Sequence, residues 1–413
     1  MHKRSVLSLL VFLVACGDAI RIGGKRETPH ERYARALTDA GLAGTGLGRE
    51  WLAASDSALR APLFGTVPLR EAAFYSRSEA RAVAYRFNLA DGQRVVATVR
   101  ASGLPAQLFV DLFEETSDTL HPFEHRATAD SAGLADSTVG PHIRLEYEAR
   151  RTGAYLLRIQ PELLRSGRFD LTLRAEPSLA FPVHGVGNGA IRSFFGAERD
   201  AGRRVHHGID IFAVRGTAVL AATDGVVRST AANELGGNVV WLRDERRSQT
   251  LYYAHLDRHT VDAGQRVRTG DTLGFVGNTG NARTTRPHLH FGIYRRGDGP
   301  IDPDPFVRLV TEEPAALAAD TSKLGALGIT TTRQAVLLIA PSAQGDTVRQ
   351  LARNTAVQIV GASGRWYRVQ LDDGVAGYVM ARAVGGARRP IEVLAGAAES
   401  AAGSTPPDSP RGR

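Results

Sequence analysis

The sequence predicts a mainly β, multidomain protein, and three observations carry that expectation. The chain has 413 residues, more than one compact core accommodates at about 150 residues per domain. Its middle and C-terminal parts consist of short segments that alternate apolar and polar residues between turns, the period-two signature of half-buried strands. A helical pattern is confined to a short stretch near the N-terminus.

At the start, Lys3 and Arg4 precede the apolar run Ser5–Ala15. That run is too short to span a bilayer and has the charged front and small-residue end of a secretory signal. Cys16 follows it and is the only cysteine, so no intrachain disulfide can form. Leu13-Val14-Ala15-Cys16 resembles a lipobox, which implies cleavage before Cys16 and acylation of its thiol. Several acyl chains would anchor the protein stably, whereas one is marginal. Gly17, rather than Asp, follows the cysteine, which favours the outer over the inner membrane if the source is Gram-negative. No later apolar run reaches spanning length.

Residues 16–28 read as a polar tether. Pro29 opens a helical pattern with Tyr33, Ala36, Leu37 and Ala40 on one face and Gly41 near its end, and a second runs through Trp51, Leu52 and Leu59. The segment 29–60 is therefore expected to be a short helical brace. Over 70–176, strands are expected at 84–89, 94–99, 107–112, 143–147, 154–159 and 169–173. Asp91-Gly92 and Thr152-Gly153 mark turns. Strands without a long helix argue for a β-sandwich. The stretches Tyr85–Leu89, Leu108–Phe113, Gly153–Ile159 and Gly167–Leu173 resemble the pre-peptidase C-terminal family, a jelly-roll module often attached to secreted peptidases.

The Ala-rich segment 311–330 reads as a linker. Strands are then expected at 335–339, 356–360, 366–371 and 377–380. The run Trp366-Tyr367-Arg368-Val369, Asp373-Gly374, Gly377-Tyr378-Val379 resembles bacterial SH3-like domains, which implies a small barrel over 331–385 that holds cell-wall material. Trp366 and Val369 read as core. Residues 386–413, rich in Gly, Ala, Ser and Pro, are expected to be disordered.

The chemistry concentrates between the two modules. Seven of the twelve histidines fall between His184 and His290. Leu289, Phe291 and Ile293 alternate with His288, His290 and Gly292, so both imidazoles project to one side of a strand. They could touch one metal, or one could hold it while the other faces its water. Gly208 lets the chain turn closely between His206 and Asp210. Two imidazoles and a carboxylate suit zinc with a fourth position left for water, and a closed structural site would want thiolates that this chain lacks. His207, His259 and His184 read as ordinary surface or core residues.

These motifs resemble the LytM/lysostaphin-type zinc metallopeptidases, whose signatures are His-x-x-x-Asp, Tyr-x-His-Leu and His-x-His. The resemblance spans Phe181 to Val307 and includes Tyr253-Ala254-His255-Leu256 and Val276-Gly277-Asn278-Thr279-Gly280. It implies an antiparallel-β peptidase domain over 180–310 with one Zn2+ per chain, held by His206, Asp210 and His290. It also implies catalytic roles for His255 and His288, with peptidoglycan stem or cross-link peptides as substrate. Where the family has Gly before Pro-His-Leu-His, this chain has Arg286, a departure at the cleft rim that bears on substrate preference.

No His-Glu-x-x-His glutamate exists, so His255 and His288 are the groups left to orient water, move its proton and stabilise the oxyanion. All but three of the 51 basic residues are arginine and the net charge is +8, which favours an anionic partner. No nucleic-acid motif is visible, so nucleic acid is not expected. Two rival readings are a non-catalytic relative that activates a cell-wall amidase and a wall-binding scaffold lipoprotein. The first typically lacks metal ligands, which this chain retains.

Overall fold

The computed structural model describes residues 27–103, 107–131, 142–199 and 202–388. Cys16, the signal-like run and the tail from residue 389 lie outside the described residues.

Thr28 caps the helix Pro29–Asp39 through a reciprocal capping box with Glu31, and Thr45 caps the helix Gly46–Arg60. The two helices cover the outer face of one sheet of a β-sandwich, where Phe109, Ala84 and Leu156 meet them. Trp51 is buried against His30, Tyr33 and the strand residue Phe109, and its indole N–H donates to the Pro161 carbonyl at 2.8 Å.

The first sheet of the sandwich runs Leu63–Phe64, Val83–Leu89, Gly153–Pro161, Leu108–Glu115, Phe123–Asp130. The facing sheet contains, in order, Leu69–Tyr75, Gly167–Pro177, Gln93–Gly103 and His142–Glu148. Consecutive strands cross between sheets in the interleaved order of a jelly roll. Tyr85, Phe87 and Leu89 of one sheet meet Val95, Val99, Leu171 and Leu173 of the other in one core. Five of the six strands expected from the sequence lie within observed ones, and the sixth, 107–112, begins one residue before Leu108–Glu115. Leu69–Tyr75 and Phe123–Asp130 were not anticipated, the second because its exposed, charged sequence shows little alternation.

The facing sheet does not end at the sandwich. Leu69–Tyr75 pairs with Ala356–Ser363 of the C-terminal barrel, aligning Ala72 with Ala362 and Ala73 with Gly361. Eleven strands thus form one continuous sheet. Fully buried Glu71 sits at the junction. It accepts from Tyr85 Oη at 2.9 Å, Tyr378 Oη at 2.5 Å and Arg368 Nε at 2.7 Å. The segment 311–330, expected to be a linker, contributes Leu327–Thr330 to this sheet, paired with Ala356–Ser363 and Val384–Arg388. Its short alternation of exposed and buried residues is overshadowed in sequence by the Ala-rich stretch before it. No described helix is long and apolar enough to cross a membrane.

Between these modules lies a ten-stranded sheet. Its central order is Ile191–Ser193, Ile209–Phe212, His288–Arg295, Gln249–His259, Gly237–Asp244, Gly225–Asn233. Ile209, Ile211, Leu251, Tyr253, Leu289, Phe291 and Ile293 fill the core beneath it. The sheet is docked on the sandwich by buried Arg247, which reaches Glu148 at 2.7 Å and the Ser178 carbonyl at 2.9 Å. Arg295 adds a bidentate pair with Asp91. Gly92 belongs to that contact: its φ is +86°, and an added Cβ would lie 2.4 Å from the Phe306 ring.

Candidate functional site

The sheet register assembles the site. Ile209–Phe212 runs antiparallel to His288–Arg295, so Asp210 stands directly opposite His290 and Phe212 opposite His288. The apolar residues of both strands point into the core, which turns Asp210, His288 and His290 to the other face. His206 lies just before this strand, after the two-stranded hairpin Glu198–Arg199 with Arg204–Val205. Gly208 is required for close approach, because a Cβ there would meet the Phe291 carbonyl at 2.4 Å and the His290 ring at 2.9 Å.

Three atoms then converge. His206 Nε2 is 3.0 Å from Asp210 Oδ1 and 2.9 Å from His290 Nδ1, and His290 Nδ1 is 3.0 Å from Asp210 Oδ1. His206 Nδ1 donates to the Phe194 carbonyl at 2.8 Å, so its neutral ring turns a lone pair from Nε2 toward the other two atoms. Lone pairs facing one point suit a cation. Tetrahedral zinc with bonds of about 2.0–2.1 Å spaces its ligands about 3.3 Å apart, close to the observed triangle. Burial pulls His290 down, and Asp210 offsets part of that.

His255 arrives by a different device. Gly237–Asp244 pairs with Gln249–His259, but the register shifts between Asn238 and Val240, so Ala254 and His255 together oppose one partner residue, as in a β-bulge. His255 adopts φ +62°, the left-handed region that costs a non-glycine residue energy. At this residue its strand leaves His288–Arg295, last paired at Ala254–His290, and takes up Thr272–Val276 from Leu256 on. The bend brings the His255 ring to 5.0 Å from the His288 ring centroid and 5.9 Å from that of His290.

Both extra histidines have a fixed tautomer. His255 Nδ1 donates to the Thr279 carbonyl at 3.0 Å and His288 Nδ1 to the Arg286 carbonyl at 2.8 Å, which turns each Nε2 to the cleft. His288 Nε2 lies 4.0 Å from Asp210 Oδ1. Burial, reinforced by His288 and His290, pulls the His255 pKa down to about 4, so the ring is neutral near pH 7. All five residues singled out in the sequence meet in one cleft of about 570 Å³. Trp241, Tyr252 and Tyr294 form its aromatic flank. Exposed His207 lies on its rim, while His184 and His259 are exposed elsewhere.

Two contributors were not legible in sequence. Arg199 Nη2 donates to Asp210 Oδ2 at 2.8 Å and to Ser193 Oγ at 2.5 Å, fixing the carboxylate so that its other oxygen joins the triangle. Nothing distinguishes Arg199 from the other arginines in spacing. Thr279 holds His255 through its carbonyl, and its hydroxyl donates to the Leu256 carbonyl at 2.8 Å. It lies within the Val276–Gly280 motif, which was the available signal.

Residues 204–303 match the model of Peptidase family M23, and residues 337–384 match that of the bacterial SH3 domain. The chain is similar to the peptidoglycan DD-endopeptidase ShyC of Vibrio cholerae, 43% identical over 94 residues, which cover 23% of this chain and 21% of that protein. It is also similar to an L-Ala--D-Glu endopeptidase of Bacillus subtilis, 36% identical over 140 residues, covering 31% and 43% of the two chains. Among solved structures, the lysostaphin catalytic domain from Staphylococcus simulans is 30% identical, covering 28% of this chain and 89% of that one, with a TM-score of 0.26. The chain spans less than half the length of these two curated relatives. Residues 204–303 thus form a Peptidase family M23 domain of the LytM/lysostaphin type, and a bacterial SH3 domain follows it.

Proposed function

We propose that this chain is a zinc-dependent endopeptidase that hydrolyses peptide bonds in peptidoglycan cross-links or stem peptides. The observation that carries the reading is the triangle of His206 Nε2, Asp210 Oδ1 and His290 Nδ1 with sides of 2.9–3.0 Å, beside the imidazoles of His255 and His288. In this reading His206, Asp210 and His290 are the ligands of one zinc ion. The activities for which the matched relatives are named, DD- and L-Ala--D-Glu endopeptidase, support the substrate class.

The chemistry that a bound zinc supplies is Lewis acidity, which polarises a carbonyl and lowers the pKa of a water toward about 7. The chain's own residues do the rest. His255 and His288, each with its Nδ1 proton committed to a backbone carbonyl, present Nε2 to the cleft. They orient the attacking water, accept its proton, stabilise the oxyanion developing on the scissile carbonyl and return a proton to the leaving amine. Arg199 keeps the Asp210 carboxylate in its ligating orientation.

The SH3 domain serves to hold cell-wall material. Acylation of Cys16 would place the enzyme on a membrane of the cell envelope, and Cys16→Ala should release it from the membrane fraction.

Elemental analysis of the purified protein beside cleavage of soluble cross-linked muropeptides tests the reading. The expected result is about one zinc per chain, with turnover abolished by a chelator and restored by zinc. Protein that carries no zinc and is indifferent to it would instead fit an amidase activator or a wall-binding scaffold.

A further inference from the structure

A second groove opens from the catalytic cleft. It has a volume of about 810 Å³ and shares Phe212 and Arg192 with the cleft. The shared Phe212 ring stacks on His288 with centroids 5.0 Å apart, so the groove begins one ring away from the reacting centre. Phe212, Val214 and Pro287 give it apolar walls, and three arginines, Arg192, Arg215 and Arg286, line it. None of its lining residues is acidic.

The three arginines are not equivalent. Arg215 is tied to Asp257 at 2.8 Å and to Asn278. Arg192 and Arg286 are exposed and, among the described residues, neither has an acidic partner. Elsewhere the surface matches many of its arginines with acids, as in Arg86–Glu115, Arg174–Glu313 and Arg349–Asp373. Two uncompensated guanidinium groups in one concave site next to the chemistry are a different arrangement.

Both are also fixed in position by the main chain. Arg192 precedes Ser193, which pairs across the sheet with Asp210. Arg286 gives its own carbonyl to His288 Nδ1. The far wall is rigid too, because Asn188 holds the Leu309 backbone through both an accepted and a donated hydrogen bond.

We propose that this groove is a carboxylate-recognising subsite, in which Arg192 and Arg286 bind a free carboxylate of an acidic peptide substrate and select it over the amidated form. The proposal rests on the peptidase reading for its substrate and on charge complementarity for its occupant. Guanidinium groups engage carboxylates through paired, charge-assisted hydrogen bonds that a neutral amide cannot match.

The test is binding of a soluble cross-linked muropeptide with free carboxylates, and of its fully amidated counterpart, to the zinc-loaded full chain carrying His255→Ala, measured by calorimetry. The free-carboxylate peptide should bind about tenfold more tightly, the scale of a partly exposed charge-assisted contact. Adding Arg286→Gln or Arg192→Gln should each cut that ratio about threefold, and the pair should bring it near one. The ratio should also fall with added salt, since exposed charges are screened.

Equal binding of the two peptides, no measurable binding of either, or a preference that survives the double substitution would overturn the subsite. Cleavage by the unsubstituted chain separates this from the peptidase reading. Cleavage of both peptides with equal kcat/KM sinks the subsite and leaves the peptidase standing. Selective binding without cleavage of either peptide upholds the subsite and sinks the peptidase.

Discussion

Two buried carboxylates, Glu71 and Asp210, lie in different sheets of this molecule and meet opposite surroundings. Glu71 is enclosed by donors: two tyrosine hydroxyls and the Arg368 guanidinium supply protons and a balancing charge. Asp210 gives one oxygen to Arg199 in the same manner, but its other oxygen shares a point with the nitrogens of His206 and His290. The first arrangement is complete as it stands. The second gathers acceptors and gains by taking a cation. The difference teaches that burial of a carboxylate does not mark a functional site; the sign of what converges on it does.

Removing Asp210 should break the comparison most severely. Asp210→Ala leaves two protein ligands, so bound zinc should fall from about one per chain toward zero, with turnover lost by about 10⁴-fold or more. Zinc retained at full occupancy in that variant would show that the triangle is not the metal site. His255→Ala and His288→Ala sharpen the contrast, because they spare the triangle. Each should keep its zinc while turnover drops by about 10²–10⁴-fold. Loss of zinc from His288→Ala but not from His290→Ala would exchange the roles of that pair.

The Glu71 side predicts a stability effect without a zinc effect. Glu71→Gln leaves Arg368 charged, buried and unbalanced, which should cost about 3–5 kcal/mol in denaturant unfolding. Zinc content should not change. An unaltered unfolding midpoint would mean that water already compensates the arginine. The same junction makes deletion of the barrel a poor probe of wall binding. A chain ended before Thr331 would strip Glu71 of Arg368 and Tyr378, and Leu69–Tyr75 of its neighbouring strand.

A third buried carboxylate extends the enclosed class at a smaller scale. Burial pushes Asp111 up, but hydrogen bonds from His125 and the charge and hydrogen bond of Arg158 outweigh it and bring its pKa down to about 2. With the folded pKa below the unfolded one, the unfolded chain binds more protons in the window between them. The stability from Asp111 is therefore present above about pH 4 and is lost as pH falls through about 2. The advantage of the wild type over Asp111→Asn should shrink by about 2 kcal/mol between about pH 5 and about pH 2. A difference that stays constant across that range would remove Asp111 from the class.

Of the five residues that meet in the cleft, four stood out in sequence through short-range spacing and His255 through the Tyr253–Leu256 motif. His288 and His290 share a face by the period of a strand, and His206 and Asp210 flank a glycine whose missing Cβ admits the His290 ring. How His255 reaches them was not legible. That depends on a bulge, a left-handed backbone and a change of partner strand at one residue, none of which has a local pattern. Arg199 was equally silent, since only the hairpin Glu198–Val205 returns it to Asp210.

The amino-acid sequence by itself determined the mainly β character, most individual strands, the helical brace and the set of chemical groups in the cleft. Each follows from residue type and separations of a few positions, which fix side-chain direction before any folding partner is chosen. Only the tertiary structure decided that the sandwich and barrel share a sheet, with Glu71 and Arg368 meeting across 297 positions. It likewise decided that Arg192, from the strand Ile191–Ser193, and Arg286, from the loop before His288, line one groove. Such contacts are set by strand pairing between distant segments, and nothing in the local spacing of either partner encodes which segment it will meet.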